Sequence, residues 1–238
     1  MKCLMKLFKR GSYTMFSESL GPDRGTKLRK NGQNPLRIMI EPKQLNSIFI
    51  INGTSFITNN VSESDLNIAP NACYLIINKR NKPINIKYSE DVSHHEVIYD
   101  PYKYEKSNKE NLNPKDIIEK FDVPDGYIDV LAKWYSIKFT YPDHNLIFIK
   151  PEMGISIQIH HHRSEIWKIL GGFPIIINGN KVFYFAKKNS VFKTPILTYH
   201  SVINPNKEPD NFVIIEERWE GKFDEKDIVR VFNPNHYY

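Results

Sequence analysis

The 238-residue chain lacks the features that define several classes of protein. Its only cysteines are Cys3 and Cys73, which excludes a disulfide-rich scaffold, and their separation does not match a metal-binding pair. Its apolar runs are a few residues long and cannot cross a bilayer. Lys2, Lys6 and Lys9 interrupt the first segment before it reaches the length of a secretion signal. We therefore expect a cytoplasmic protein with no membrane partner.

Excess positive charge is absent from most of the chain. Residues 1–30 contain eight basic and two acidic residues, and the totals of 33 and 27 leave 25 of each sign in the remainder. A nucleic-acid-binding fold normally carries its basic stripe on the folded body. The distribution therefore argues against a nucleic-acid partner and predicts a basic, flexible tail over residues 1–33.

Short runs rich in Ile, Val, Phe and Tyr dominate two blocks, residues 34–100 and 134–238, and predict an all-β fold. Residues 101–133 are more polar and predict a helical linker. Within the linker, Asn113-Pro114 precedes apolar residues at helical spacing and predicts one N-capped helix, and Tyr127–Trp134 predicts a second helix.

The two β blocks can be aligned with each other. Ile38–Gly53 matches Ile157–Gly172 without a gap, and Tyr74–Pro83 matches His200–Pro209 with Asn and Pro in register. Landmarks in the same order favour duplication of one β unit.

One segment of the second block carries candidate metal ligands. Gln158 and His160 are two residues apart and point to one face of a predicted strand, Glu165 follows, and His200 begins a later strand. Two imidazoles, a carboxylate and an amide oxygen suit a divalent metal with positions open for substrate. The alternative is that the three consecutive histidines at 160–162 form a surface tract.

This spacing resembles the cupin superfamily. The first cupin motif has two ligands one residue apart, a glutamate after four more residues and a glycine after a further six, and the second has Pro, Gly, His and Asn at fixed spacing. Gln158 stands where the first histidine is usual, and Leu197 stands where the second motif has glycine. The matching residues are Gln158, His160, Glu165 and Gly172, followed by Pro195, His200 and Asn204.

Residues 132–234 further resemble the C-terminal cupin module of type II mannose-6-phosphate isomerases, which is often fused to a mannose-1-phosphate guanylyltransferase. The segments that carry this resemblance are Trp134-Tyr135, Ile149–Pro151, Ser156–Trp167 and Asp224–Arg230. The resemblance implies two jelly-roll cupin (double-stranded β-helix) units. The second, residues 134–238, would hold one divalent metal on Gln158, His160, Glu165 and His200. Zinc is the first choice of metal, with manganese, iron, cobalt and nickel as alternatives.

The resemblance also implies an activity: metal-dependent interconversion of mannose 6-phosphate and fructose 6-phosphate through an enediol. Glu165 and His162 are the candidate catalytic bases, and Arg163, Arg230 and Tyr199 are the candidate substrate contacts. Two alternatives stay open, an epimerase or ketoisomerase acting on a nucleotide-linked sugar and a non-catalytic sugar-binding cupin. The expected partner is a phosphosugar or a nucleotide-sugar, and a homodimer is left open.

The aligned repeat places Met39, Glu41, Asn46 and Tyr74 at the ligand positions of the first block. These side chains do not form a metal-binding set. Residues 34–100 are therefore predicted to be a degenerate, metal-free cupin.

Overall fold

The computed structural model describes residues 8–9, 14–222 and 225–235. The chain divides into two compact units. The first comprises Met1–Asp100 together with Asn180–Val182, and the second comprises Pro101–Gly179 and Phe183–Tyr238. Among the described residues, no helix is long and apolar enough to span a membrane.

The first unit is built from two antiparallel sheets. Its strands are β1 (Phe8–Lys9), β2 (Thr14–Leu20), β3 (Leu28–Lys30), β4 (Leu36–Met39), β5 (Ile48–Asn52), β6 (Ser55–Ile57), β7 (Asn67–Ile68), β8 (Cys73–Asn78), β9 (Ile84–Tyr88) and β10 (Glu96–Tyr99), with 3-10 helices at Pro42–Ser47, Glu63–Leu66 and Val92–His94. The strand orders are β1-β2-β9-β4-β7 and β10-β3-β8-β5-β6. Alternation in the sequence explains the packing, because Ile84, Ile86 and Tyr88 of β9 are buried while the residues between them are exposed.

The second unit has one helix and two further sheets. Its elements are α1 (Pro114–Phe121), β11 (Asp129–Ala132), β12 (Ser136–Thr140), β13 (Asn145–Ile149), β14 (Ile157–His160), β15 (Arg163–Gly171), β16 (Ile175–Asn178), β17 (Lys181–Phe183, of which only Phe183 is assigned to this unit), β18 (Val191–Thr194), β19 (His200–Ile203), β20 (Val213–Gly221) and β21 (Ile228–Phe232), with a 3-10 turn at Glu225–Asp227. The strand orders are β11-β12-β13-β20-β15-β18 and β16-β19-β14-β21. The all-β prediction is confirmed.

One predicted helix is confirmed and the other is wrong. The side chain of Asn113 accepts a hydrogen bond from the backbone N–H of Lys115 at 3.1 Å and caps α1. Residues 127–134, by contrast, contain the strand β11, which pairs with β12 along its whole length. Val130 and Ala132 both face the apolar core while the residues beside them are exposed. Burial of every second residue is the pattern of a strand, so the helical spacing of apolar residues in the sequence was misleading here.

The predicted flexible tail is also wrong for residues 14–33. Strand β2 pairs with β9 over five residues, and β3 pairs with both β8 and β10. Leu28 is completely buried in this arrangement. Basic side chains are compatible with β3 because Lys30 is exposed and Arg29 is only partly buried. Residues 1–7 and 10–13 lie outside the described part of the chain.

The two units share one strand topology, with β2 to β10 of the first corresponding in order to β13 to β21 of the second. The isolated bridge between Gly25 and Ile77 has its counterpart between Gly154 and Ile203. The pair Arg29–Tyr74 likewise corresponds to Gln158–His200.

This topology corrects the register of the aligned repeat. Ile38 lies in β4, whereas the counterpart of β14 is β3. The alignment of Ile38–Gly53 with Ile157–Gly172 is therefore shifted by one strand. The shared isoleucines misled that alignment because isoleucine is common in every strand. The match of Tyr74 with His200 agrees with the topology. The first-unit counterparts of Gln158, His160, Glu165 and His200 are therefore Arg29, Asn31, Leu36 and Tyr74.

Candidate metal centre and adjoining cavity

Three strands of the second unit bring the predicted ligands together. Gln158 and His160 alternate on β14, Glu165 is the third residue of β15, and His200 opens β19 directly opposite Gln158. His160 is 2% exposed, and Glu165 and His200 are each 1% exposed. These three residues form the ligand cluster, whose candidate ligand atoms all lie within 4.8 Å of one another.

The histidine ring orientations leave lone pairs facing the cluster. Nδ1 of His200 donates to the carbonyl oxygen of Thr198 at 2.8 Å, and Nδ1 of His160 lies 3.4 Å from the carbonyl oxygen of Asp227. Each Nε2 therefore faces Glu165 as an acceptor. Burial lowers the pKa of His200, which keeps its imidazole neutral.

The distances in the ligand cluster fit a shared divalent cation. Nε2 of His160 lies 2.9 Å from Oε1 of Glu165, and Nε2 of His200 lies 3.4 Å from Oε2 of Glu165. Two acceptor atoms at such distances repel each other unless a proton or a cation lies between them. Two atoms that are each about 2.1 Å from one ion, at an angle of about 90° to 109°, are about 3.0 to 3.4 Å apart. A carboxylate and two imidazoles are also a usual ligand set for transition metals.

Gln158 borders the ligand cluster through its amide. Oγ of Ser156 donates to Oε1 of Gln158 at 3.0 Å, and Nε2 of Gln158 lies 3.4 Å from Nε2 of His200. A 180° flip of the side-chain amide of Gln158 would direct its oxygen to the cluster. Such a turn preserves the bond to Ser156, because a hydroxyl group can accept as well as donate.

Arg163 reaches into the ligand cluster. Its Nε donates to Oε1 of Glu165 at 2.9 Å, and its Nη2 donates to Nε2 of His160 at 3.3 Å. Burial opposes ionisation of Glu165. Without a cation, a proton shared with His160 and the positive groups around the carboxylate, including Arg163, outweigh burial and lower the pKa of Glu165 to about 2. Glu165 is therefore a carboxylate at neutral pH.

Two predicted site residues are not brought to the ligand cluster. Strand β14 ends at His160, and the carboxylate of Asp227 accepts the backbone N–H groups of His161 and His162 at 3.0 Å each. His162, a candidate base from the sequence, is exposed and lies outside the strand that carries Gln158 and His160. Tyr199 does not line the adjoining cavity.

The cavity beside the ligand cluster is rich in positive charge. Arg230 lies opposite Gln158 on the neighbouring strand β21 and lines the cavity, as Arg163 does. Two lysines that were not predicted as site residues add two more cationic side chains to the lining. They are Lys138 of β12 and Lys133, which lies just before β12. The single acidic residue in the lining is Glu217.

Glu217 is a functional candidate that the sequence patterns missed. Nδ2 of Asn145 donates to its Oε1 at 2.7 Å. The indole Nε1 of Trp167 is shared between Oε2 of Glu217 at 3.2 Å and Oε2 of Glu165 at 3.1 Å. Burial and the charge of Glu165 raise the pKa of Glu217 to about 7. The available signal was alternation, because Glu217 follows the buried Val213 and Ile215 on the core-facing side of β20.

Two departures from ordinary backbone geometry explain the cupin motif positions. Gly172 has a φ of +74°, and a Cβ there would lie 2.8 Å from the carbonyl oxygen of Phe212, so a side chain is excluded. Leu197, which stands where the motif has glycine, adopts a φ of 57°. Its backbone N–H donates to the carbonyl oxygen of His160 at 2.7 Å, which holds the turn against β14.

Residues 127–233 match the family model described as Mannose-6-phosphate isomerase C-terminal. The second unit has a jelly-roll fold and is similar to this module over the matched residues. The resemblance inferred from the two motifs is thereby confirmed. The matched residues include β11 to β21.

Curated relatives of this isomerase-like region are much longer proteins. A mannose-1-phosphate guanylyltransferase from Klebsiella pneumoniae is 36% identical over 87 residues, which are 37% of this chain and 18% of that protein. Mannose-1-phosphate guanylyltransferase 2 from Escherichia coli O157:H7 is 27% identical over 172 residues, which are 71% of this chain and 32% of that protein. The chain thus spans a third or less of these relatives. Among solved structures, the formate complex of Lactobacillus farciminis oxalate decarboxylase covers 95% of this chain and 86% of its own at 10% identity, with a TM-score of 0.36.

Proposed function

We propose that the second unit is a metal-dependent isomerase of phosphorylated sugars, of the mannose 6-phosphate to fructose 6-phosphate type. The observation that carries the proposal is the convergence of two imidazole lone pairs and a carboxylate beside a cationic cavity. The family match supports the same reaction class. His160, Glu165 and His200 would hold one divalent metal, with Gln158 as a fourth ligand and zinc as the first choice. The bound metal would polarise the oxygen atoms at C1 and C2 of the sugar.

The cationic side chains would bind the phosphate. Arg230 enters the cavity from the β14 side, while Lys133 and Lys138 enter from β12 and the residues before it. A dianionic phosphate would offset this positive charge, and arginine can bind it through two parallel hydrogen bonds. Arg163, already committed to Glu165 and His160, would keep the carboxylate ionised and face the sugar end of the cavity.

The carboxylate of Glu217 is the proposed base. Isomerisation requires one proton to move between C2 and C1 while a hydroxyl proton moves between the adjacent oxygens. Both oxygens of Glu165 face the histidines, and His162 is exposed away from the ligand cluster. Glu217 lines the cavity and its oxygens lie outside the set of metal ligands. We therefore assign the carbon proton transfer to Glu217 rather than to Glu165 or His162.

A turnover assay tests this function. The metal-loaded chain should convert mannose 6-phosphate to fructose 6-phosphate, and a chelator should abolish the conversion. His160→Ala should be inactive, whereas the matched variant His162→Ala, in the same histidine tract, should retain activity. Turnover that persists with chelator and in H160A would contradict the metal mechanism. Turnover of a nucleotide-linked sugar in place of the phosphosugar would favour the epimerase alternative, and metal and sugar binding without any turnover would favour a binding module.

A further inference from the structure

The indole of Trp167 lies between the ligand cluster and Glu217. Its Nε1 donates to Oε2 of Glu165 at 3.1 Å and to Oε2 of Glu217 at 3.2 Å. An indole has one N–H group and no acceptor, so a single proton is shared between the two carboxylates. The one polar atom of Trp167 therefore connects a proposed metal ligand with the proposed base.

Strand pairing fixes the position of this indole. Trp167 of β15 lies directly opposite Glu217 of β20, and Glu165 is two residues earlier on β15, so the three side chains point to one face of the sheet. Trp167 is 1% exposed and belongs to an apolar cluster of the second unit. Its ring also meets the ring of His200 edge to face, with centroids 5.2 Å apart. The indole is thus held rigidly by its surroundings.

Each carboxylate has a second donor of its own. Nε of Arg163 donates to Oε1 of Glu165 at 2.9 Å, and Nδ2 of Asn145 donates to Oε1 of Glu217 at 2.7 Å. The indole N–H holds the remaining oxygen of each group. Donors on both oxygens fix the plane of a carboxylate, whereas one donor leaves it free to rotate. Because the metal would also hold Glu165, the orientation of Glu217 depends most on the indole.

The first unit shows that the strand framework does not require this network. The pairings place apolar and aromatic residues at the four equivalent positions. The residues Glu165, Trp167, Glu217 and Asn145 correspond to Leu36, Ile38, Tyr88 and Phe16. Leu36, Ile38 and Tyr88 are buried in the apolar core of that unit. Burial of a carboxylate carries a desolvation cost that an apolar side chain does not have. A network that the framework can omit, and that is costly to bury, points to a role in the chemistry.

We propose that Trp167 is a positioning residue for the isomerisation and that its N–H sets the orientation of Glu217 relative to Glu165. This role rests on the function proposed above, because Glu217 serves as a base only in that reaction. Trp167 has no acceptor and takes up no proton itself. It acts by keeping the base aimed at the carbon-bound proton, and an error of about 1 Å in such a position can cost about a hundredfold in rate.

NMR of the indole N–H groups tests the contact without any turnover. The chain has three tryptophans, and the signal lost in Trp167→Phe is that of Trp167. This signal should move when zinc is added, because zinc would bind Glu165, and it should move in Glu217→Gln, because the second acceptor changes. The signal of Trp134, which packs partly buried against the same apolar cluster, is the internal control and should move much less.

Kinetics test the consequence for the reaction. W167F should keep its metal, since Arg163 and the histidines still hold or face Glu165. Its kcat should fall about tenfold to a hundredfold, while KM stays within about twofold. With mannose 6-phosphate deuterated at C2, the isotope effect on kcat should be at least as large in W167F as in the wild type, because transfer of that proton becomes slower. Trp134→Phe is the matched control and should keep the wild-type kcat.

Three results would overturn the proposal. These are a Trp167 signal that neither zinc nor E217Q moves, full kcat in folded W167F, and a loss of activity in W167F that only follows a loss of metal. If W167F fails to fold, W134F and Trp219→Phe assign the Trp167 signal by elimination, and the NMR result decides. Absence of turnover in the metal-loaded wild type would contradict the isomerase function and this role with it. A Trp167 signal that still responds would then show that the function failed and the contact did not.

Discussion

The two units share a strand order but differ in the residues at their equivalent interior positions. The second unit has Gln158, His160, Glu165 and His200 where the first has Arg29, Asn31, Leu36 and Tyr74. Other positions have the same role in both: Nδ2 of Asn78 donates to the carbonyl oxygen of Leu20, and Nδ2 of Asn204 donates to that of Ile149. The comparison teaches that the backbone framework and the ligand positions vary independently, so a shared topology does not carry a shared function.

Substitutions at one pair of equivalent positions, Glu165 in the second unit and Leu36 in the first, should differ most in their effects on metal content and turnover. Glu165→Gln removes the negative charge that two imidazoles face, so metal occupancy should fall and turnover should drop about a thousandfold, which corresponds to several kcal/mol. Leu36→Ala should instead cost about 2 to 5 kcal/mol of unfolding free energy and leave the metal in place. Elemental analysis, turnover and thermal melting separate the two outcomes. Loss of metal in folded L36A would contradict the claim that only the second unit holds the metal.

Asn78 and Asn204 should behave alike because they perform the same task. Each buried amide donates to two or more backbone carbonyl oxygens. Replacement by alanine leaves those acceptors unsatisfied and should cost about 1 to 3 kcal/mol in either unit. Denaturant unfolding followed by circular dichroism measures both. A cost confined to N204A would contradict a common framework.

Stability should depend on pH through Glu217 in the second unit. Its pKa in the folded protein is raised from 4.5 to about 7, so folding favours the protonated form. That contribution is complete below pH 4.5 and is lost as the pH rises through about 7. Metal-free wild type should lose stability between pH 5 and 8 relative to Glu217→Gln, as thermal melting can show. The control Glu220→Gln, at an exposed position of the same strand, should follow the wild type. Parallel profiles for wild type and E217Q would contradict the assignment.

The smallest effect concerns one backbone conformation found in both units. Asn71 has a φ of 60° and its counterpart Leu197 has a φ of 57°. Asparagine tolerates this left-handed region better than leucine does, and Leu197 is 56% exposed, so its side chain contributes little packing. Leu197→Asn should therefore raise the unfolding free energy by about 0.5 to 1 kcal/mol, and Asn71→Leu should lower it by a similar amount. Changes of the same sign in both variants would contradict this account.

Spacing in the sequence predicted the ligand cluster well. Residues two apart on β14 must point to the same face, and the short interval to Glu165 places its side chain on the next strand beside them. The helix Pro114–Phe121 was predictable for a similar reason, since its cap and its apolar spacing are local. His162 was misplaced because alternation stops where a strand stops, and the end of β14 depends on the distant carboxylate of Asp227.

Features that depend on pairing partners could not be read from the sequence. Strand β3 was assigned to a tail because its basic residues hide its alternation, and its partners β8 and β10 lie more than 40 residues away. The same pairings fix Arg29, and not Met39, as the counterpart of Gln158. Glu217 was missed because one buried carboxylate on a strand has no motif of its own.

Metal content of the purified full chain tests the central difference between the units most directly. Elemental analysis should find about one equivalent of a divalent metal in the wild type. The double variant H160A/H200A should contain none, while Tyr74→Phe, at the first-unit counterpart of His200, should retain the wild-type amount. Absence of metal in the wild type after reloading, or equal metal in the wild type and H160A/H200A, would contradict the account.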